Sequence, residues 1–443
     1  MHKHNTVALS SFLNIEMGQS PEAEFVNQDC RGVPLLNGPA EFTDRYPTPV
    51  QYTTNPKRFA QKGDILFCVR GSTTGRMNIA DQKYAIGRGL AAISHKEGKE
   101  LNAFAKGIID NKLKSLLGGT LGSVFPNLTK DQLYNFKCSI PNILAQRQIA
   151  AVLSALDGKI ELNKRINSEL EQMAKTLYDY WFVQFDFPNE EGKPYKSAGG
   201  KMVYNEVLKR EVPEGWGHEQ IGDLGTVVGG STPSKLIEEN FSQLGIPWIT
   251  PKDLSMNVGN KFITRGELDV SEKGLKKASL NILDRGSVLM SSRAPVGYLA
   301  INRIPCSTNQ GFKSIICNKK YSCEYVYYVV RQYMPTIEAN ATGSTFKEIS
   351  GSIFKSISII KPKKLIVEEF IKKMKSVFQK QENVEEQNQQ LSNLRDWLLP
   401  MLMNGQVKVE QTDRYVEPQK EHDRELAMVA EDAIAYKMKG GRK

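Results

Sequence analysis

The sequence predicts a duplicated, mixed α/β (α+β) architecture in which two globular blocks alternate with two long helices. Three observations point there: a nearly constant internal repeat, two heptad-patterned segments, and a segregation of charge between blocks and helices. At 443 residues the chain is about three average domains long, so more than one core is expected. Hydrophobic residues make up 40% and charged residues 24%, a globular balance that excludes a disordered tail or a fibre. No run approaches the ~18 apolar residues of a membrane helix, and the polar opening Met1-His2-Lys3-His4-Asn5 lacks the pattern of a signal peptide. The six cysteines, Cys30, Cys68, Cys138, Cys306, Cys317 and Cys323, form no C-x-x-C pair. That spacing argues against a zinc knuckle and a disulfide framework, and leads to the expectation of a reducing, cytoplasmic setting.

Ile15-Glu16-Met17-Gly18-Gln19-Ser20-Pro21 is echoed by Val227-Val228-Gly229-Gly230-Ser231-Thr232-Pro233. Gly63-Asp64-Ile65-Leu66-Phe67 is echoed by Gly286-Ser287-Val288-Leu289-Met290, each leading to an arginine, Arg70 or Arg293, and then a glycine turn, Gly75 or Gly297. Gly89-Leu90-Ala91-Ala92-Ile93 matches Gly311-Phe312-Lys313-Ser314-Ile315, and Gly122-Ser123-Val124-Phe125 matches Gly343-Ser344-Thr345-Phe346. A shift that stays nearly constant over much of the chain signals duplication.

The blocks are expected at residues 1–145 and 213–365. Apolar runs at Asp64–Val69 and Ser287–Ser291, bounded by Gly and Pro, predict strands, as do Tyr134–Ile140 and Ile353–Ile360. The helices are expected over 146–187 and 366–405. In the first, Ile149, Leu156, Asn163, Leu170 and Leu177 recur every seven residues; Phe370, Val377, Val384, Leu391 and Leu398 do so in the second. Such spacing predicts a narrow seam buried against another helix, in which a polar Asn163 would fix register at some cost in stability. A second seven-spaced set, Val152, Ile166, Met173 and Tyr180, interrupted at Lys159, is expected beside the first. Pro188 and Gly405 are expected to close the helices. Residues 188–212 are expected to be a linker and 406–443 a charged extension, with a helix over Arg424–Lys439 to which no function attaches.

Charge follows the same division. Residues 1–145 carry 17 Lys/Arg against 12 Asp/Glu, and residues 213–365 carry 19 against 13, whereas each helical segment has 5 against 6. Two cationic blocks fit nucleic-acid binding, with a mere solubility setting as the competing explanation. Catalytic signatures are missing: no G-x-x-x-x-G-K-[ST] loop, no Asn-Pro-Pro-aromatic run, no G-x-S-x-G and no H-E-x-x-H. The five histidines have no metal-ligand spacing, so no catalytic and no metal residue is expected.

The polar residues at the repeated turns are then the candidates for DNA contact. Arginine matches guanine, and Asn or Gln matches adenine, while Ser and Lys mostly grip phosphate. The candidates are Arg70, Ser72, Thr73, Thr74, Arg76, Arg88 and Lys130 in the first block, and Arg293, Asn309, Gln310, Lys313, Ser344, Thr345 and Lys347 in the second. A third loop adds Thr120, Ser123 and Thr342. Turn formation or simple solvation is the alternative for each. The aromatic run Tyr178, Tyr180, Trp181, Phe182, Phe185 and Phe187 fits a local core, a docking surface for a partner protein, or a base-stacking platform.

Block, heptad helix, block, heptad helix, opened by Met17-Gly18-Gln19-Ser20-Pro21, resembles the specificity subunit of bacterial type I restriction–modification systems. Pro213-Glu214-Gly215-Trp216, Gln146-Arg147-Gln148-Ile149-Ala150 and Leu156-Asp157-Gly158-Lys159-Ile160 carry the same resemblance, which spans about residues 6–410. It implies two target-recognition domains held apart by antiparallel helices with pseudo-twofold symmetry. It further implies a non-catalytic, DNA-reading chain that works with two methyltransferase subunits and with restriction subunits that translocate and cut DNA. No cofactor is then expected on this chain, while S-adenosylmethionine, ATP and magnesium are expected on the partners. Site residues carry over weakly, onto Arg70, Arg76, Arg293, Asn309, Gln310, Lys313 and Lys347. Competing functions are a standalone DNA-modifying or nuclease enzyme, which would act alone, and a coiled-coil scaffold, which would not retain DNA.

Overall fold

The computed structural model describes residues 5–118, 127–343, 347–407 and 409. The chain forms two compact units: one runs through Leu156 and takes up the chain again from Leu394, the other is Asp157–Asn393.

In the first unit, an antiparallel sheet runs in the order Leu13–Met17, Leu90–His95, Ile65–Cys68, Met77–Ile79. Its central strand is apolar throughout because both of its faces are buried. Ile65 and Phe67 face the helix Asn102–Gly118, through Phe104, Ala105, Ile108 and Ile109, while Leu66 and Cys68 face Leu36, Tyr84 and Ile86. Those last residues belong to a five-stranded sheet ordered Val26–Asn27, Gln51–Thr53, Val33–Leu36, Tyr84–Ile86, Phe59–Ala60, with the pair Val33–Leu36 and Tyr84–Ile86 parallel. Asn5–Ala8 pairs with Lys137–Ile140.

The second unit repeats this plan. Thr226–Gly229, Lys313–Ile316, Val288–Ser292 and Val296–Asn302 follow in the same order and are again antiparallel, with Phe262–Ile263 added at the edge. Val288 and Met290 face the helix Cys323–Gln332, and Leu289 faces Ile249, Ala300 and Phe312. The parallel pair recurs as Ile246–Ile249 with Ser307–Thr308, and the end pair as Gly217–Gln220 with Ser358–Lys361.

Three expectations need correcting. Tyr134–Ile140 and Ile353–Ile360 each begin inside a helix. Lys130–Asn135 is started by a Thr129–Gln132 capping box, Gly351–Ser356 by the Ser350 hydroxyl, and the strands begin only at Lys137 and Ser358. Residues 188–212 are more than a linker: Met202–Asn205 and Arg210–Pro213 form a hairpin, and Tyr195 stacks on Phe187 at 4.7 Å. Met173 lies outside the seam, 44% exposed. The companion set is displaced by one residue, to Leu153, Ile160, Asn167, Ala174 and Trp181, all buried.

The long helices span Ile143–Tyr178 and Lys364–Met403, about 54 and 60 Å at 1.5 Å per residue. The first continues into a π-helical turn at Asp179–Val183, and the second stops just before Gly405, which takes a φ of 70°. Within the second unit they pair antiparallel: Asn163 Nδ2 donates to Gln387 Oε1 at 2.7 Å, Asn167 Nδ2 to Glu385 at 3.0 Å, and Tyr178 meets Phe370 edge-on. Of the seam candidates, Ile149, Asn163, Phe370, Val377 and Val384 are buried, and Leu156, Leu170, Leu177, Leu391 and Leu398 are half-buried. Within the first unit, Leu153, Leu399 and Met403 meet over Gly107, where any Cβ would collide with all three. The aromatic run resolves as core: Tyr178, Trp181, Phe182, Phe185 and Phe187 are buried in one cluster, with Tyr180 packed beside it.

Candidate nucleic-acid interface

In each unit the candidate loops converge because a glycine segment is laid across two strand ends. In the first, the Gly18 and Gln19 N–H groups donate to the Leu90 and Ile86 carbonyls, both at 2.9 Å. A Cβ on Gly18 would lie 2.2 Å from the Gly87 oxygen, so only glycine permits this approach. Ser20 Oγ then accepts the Arg88 N–H at 3.2 Å, leaving the Arg88 side chain exposed. The second unit repeats the arrangement. Ser231 N–H donates to the Thr308 carbonyl at 3.0 Å, and a Cβ on Gly230 would lie 2.1 Å from the Asn309 oxygen. The Thr232 hydroxyl donates to Gln310 Oε1.

The loop after the central strand differs between the units. In the first, Gly71 and Gly75 take φ near 90°, and Thr74, buried, donates its hydroxyl to the Gly71 carbonyl at 2.7 Å. Thr74 therefore builds the turn. Arg76, itself exposed, donates to the Pro39 and Phe42 carbonyls at 3.3 and 3.0 Å and lies over the Phe42 ring, so it braces the loop. Arg70, Ser72 and Thr73 are exposed, with Thr73 Oγ1 3.6 Å from the Cys68 sulfur. Lys130 is exposed, with its ammonium over the Tyr134 ring.

In the second unit the candidates gather around Gly311. Asn309 Oδ1 accepts the Gly311 N–H at 3.0 Å, and the Arg293 side chain packs against the same glycine. Arg293 pairs with Glu348 at 3.3 Å; Lys313 lies 3.7 Å from that carboxylate and donates to Ser292 Oγ at 3.3 Å. Glu348 holds both cations at one place while leaving most of the five guanidinium donors open. Lys347 is exposed, as is Thr342. Thr120, Ser123, Ser344 and Thr345 fall outside the described residues, as do Lys408 and residues 410–443 of the extension.

Sequence reasoning missed Ser20 and Thr232, which tie the loops together, although both stand in the repeated Gly-x-Ser/Thr-Pro segment that reveals the duplication. It also missed Glu348 and the Lys235–Trp248 pair. Lys235 lies over the Trp248 ring at 5.7 Å, and the Trp248 indole N–H donates to the Ser231 carbonyl at 3.1 Å.

A doubled mixed α/β unit with a long helix following each copy, and a cationic loop cluster in each, defines a chain built to present two related surfaces. It belongs to the family of type I restriction modification DNA specificity domains, whose model matches residues 1–172 and again 213–393. It is 28% identical over 409 residues to the type I restriction enzyme HindI specificity subunit of Haemophilus influenzae, covering 79% of this chain and 88% of that one. Over 157 residues it is 43% identical to the MjaIX specificity subunit of Methanocaldococcus jannaschii, a match to 34% of this chain and 35% of the other. Its fold is similar to the crystal structure of the type I restriction-modification S subunit from M. genitalium: TM-score 0.56, 16% identity, 91% of this chain and 96% of that one. The chain is thus a type I specificity subunit with two specificity domains. Among the described residues, no helix is long and apolar enough to cross a membrane.

Proposed function

We propose that the chain reads a bipartite double-stranded DNA target, one half-site per domain, and directs adenine methylation or restriction by partner subunits. The observation that carries this is the shared loop frame with unlike tips. Ser20 and Thr232 stand at matching places and hold the matching loop positions, Ser20 by accepting the Arg88 backbone N–H and Thr232 by donating to the Gln310 side chain, so the frame carries an arginine in one unit and a glutamine in the other. Arg70, Ser72, Thr73, Arg88 and Lys130 would serve the first half-site, and Arg293, Asn309, Gln310, Lys313 and Lys347 the second. Arginine at one tip and Gln with Asn at the other favour different bases. Thr74 and Arg76 brace the first loop through bonds to carbonyls of their own unit.

The reaction chemistry belongs to partners in this proposal. Two methyltransferase subunits bring S-adenosylmethionine, and restriction subunits bring ATP and magnesium. The long helices set the number of unread base pairs between half-sites. Co-expression with the methyltransferase partner, followed by mapping of adenine methylation on host DNA, tests the reading. A two-part motif with a fixed gap is expected; its absence, or methylation by the purified chain alone, contradicts it. Adding one heptad to each helix should change the gap and leave both half-sites intact.

A further inference from the structure

The second unit contains a buried polar assembly that joins its recognition domain to both helices. Lys261 is 3% exposed, and its ammonium donates to Glu171 at 2.7 Å on the first helix, to Gln381 at 2.7 Å on the second, and to the Tyr328 hydroxyl at 2.8 Å. All three ammonium donors are thereby used, and the Phe378 ring lies 3.9 Å away. One residue along the loop the backbone is held too. The Lys261 and Phe262 N–H groups donate to the two oxygens of Glu385 at 2.8 and 2.9 Å. Arg303 and Asn167 donate to the same carboxylate at 3.0 Å each, and Asn167 also donates to the Gly259 carbonyl at 3.1 Å. Arg331 pairs with Glu171 from the far side.

This is a poor way to gain stability, since well-packed apolar residues would do as well as a desolvated ion network. Its merit is direction, because every bond fails if the loop shifts or rotates on the helices. The repeat does not share it: counted back along the helices by the repeat, Gln381 falls on Ile160 and Glu385 on Lys164, while Glu171 falls forward on Ser392. In the first unit the helix ends contribute Leu153, Leu402 and Met403 to an apolar core instead.

We propose that Lys261, Glu171, Gln381 and Glu385 are positioning residues that fix the orientation of the second recognition domain on the helix pair, and so the register in which the second half-site is read. The inference rests on the DNA reading above and adds residues that touch no DNA.

The test uses the full complex with its methyltransferase partner, comparing methylation maps of wild type, Lys261→Met, Glu385→Gln and the charge-free pair Lys261→Met/Glu171→Gln. The variants should keep the first half-site and methylate sites with one base pair more or less in the gap, or with a degenerate second half-site, at least about tenfold more often. Raising the pH should erode gap discrimination in the wild type and leave Lys261→Met unaffected. Glu171, Glu385, Arg303, Arg331, Tyr327 and Tyr328 are the ionisable groups facing Lys261, and burial pushes its ammonium down to about 8. An unchanged motif and gap, with methylation merely weaker, would overturn the inference. If a single variant does not accumulate folded, the charge-free pair decides by the same readout. A wild type without a two-part motif would overturn the DNA reading beneath it; a wild type with one, matched by every variant, would overturn this inference alone.

Discussion

Ser20 accepts the backbone N–H of Arg88, 68 residues further along the chain, at 3.2 Å, and so fixes the loop from which Arg88 projects. Thr232 holds the matching position in the second unit by donating its hydroxyl to the Gln310 side chain. Each exposed bond contributes about 1 kcal/mol, enough for roughly a fivefold effect on a loop that must be held for binding. Thr232→Val should therefore weaken reading of the second half-site about fivefold and leave the first untouched, as measured by competition binding with half-site variants.

The glycines beneath these loops should be far less forgiving than Gly107. A Cβ on Gly18 or Gly230 meets backbone oxygens at 2.2 and 2.1 Å, whereas on Gly107 it meets the ends of the Met403, Leu399 and Leu153 side chains. Backbone must move in the first case and flexible side chains in the second. Gly230→Ala should cost about 3 kcal/mol and Gly107→Ala about 1 kcal/mol in urea unfolding.

Arg70 and Arg76 should separate cleanly. Arg76→Ala removes the bonds to the Pro39 and Phe42 carbonyls and should lower the stability of the first unit by about 1 kcal/mol. Arg70→Ala should leave the melting temperature unchanged and reduce the slope of log binding constant against log salt by about one. Equal effects on stability would contradict the division into brace and contact.

Asn163 is 1% exposed, and its partner Gln387 reaches water. Asn163→Leu should thus raise stability by about 1 kcal/mol while weakening the preference for one helix register. Chemical denaturation checks the first effect and disulfide trapping of cysteines placed along the two helices checks the second.

Lys261 makes a signed pH prediction. Burial holds its folded-state pKa near 8, below its ordinary 10.5, despite the opposing pull of Glu171 and Glu385. Between those values the unfolded chain binds more protons, so wild-type stability should rise with pH relative to Lys261→Met, by about 2–3 kcal/mol from pH 8 to 10. Below pH 8 the difference should be flat. Denaturant unfolding of both proteins across this range reads it; a falling difference would contradict the burial argument.

The duplication, the two helices and the central strands were legible because each leaves an apolar pattern of fixed period. The seam's companion set was not. Met173 is apolar yet points outward, while Asn167, Gln381 and Glu385 are polar yet buried, and residue type alone ranks them the wrong way round. Lys261 was invisible for another reason: its helix partners stand 90 and 120 residues away in sequence. The loop candidates show a third limit. Spacing placed Thr74 and Arg76 beside Arg70, but only the fold reveals that the Thr74 hydroxyl and two of the Arg76 donors bind carbonyls of their own unit.

The most direct test of the account exchanges residues 1–145 for the matching block of a relative and maps adenine methylation in cells that supply the methyltransferase partner. The account predicts that one half-site changes while the other half-site and the gap persist. A change in both half-sites, or in neither, would contradict independent reading by the two domains.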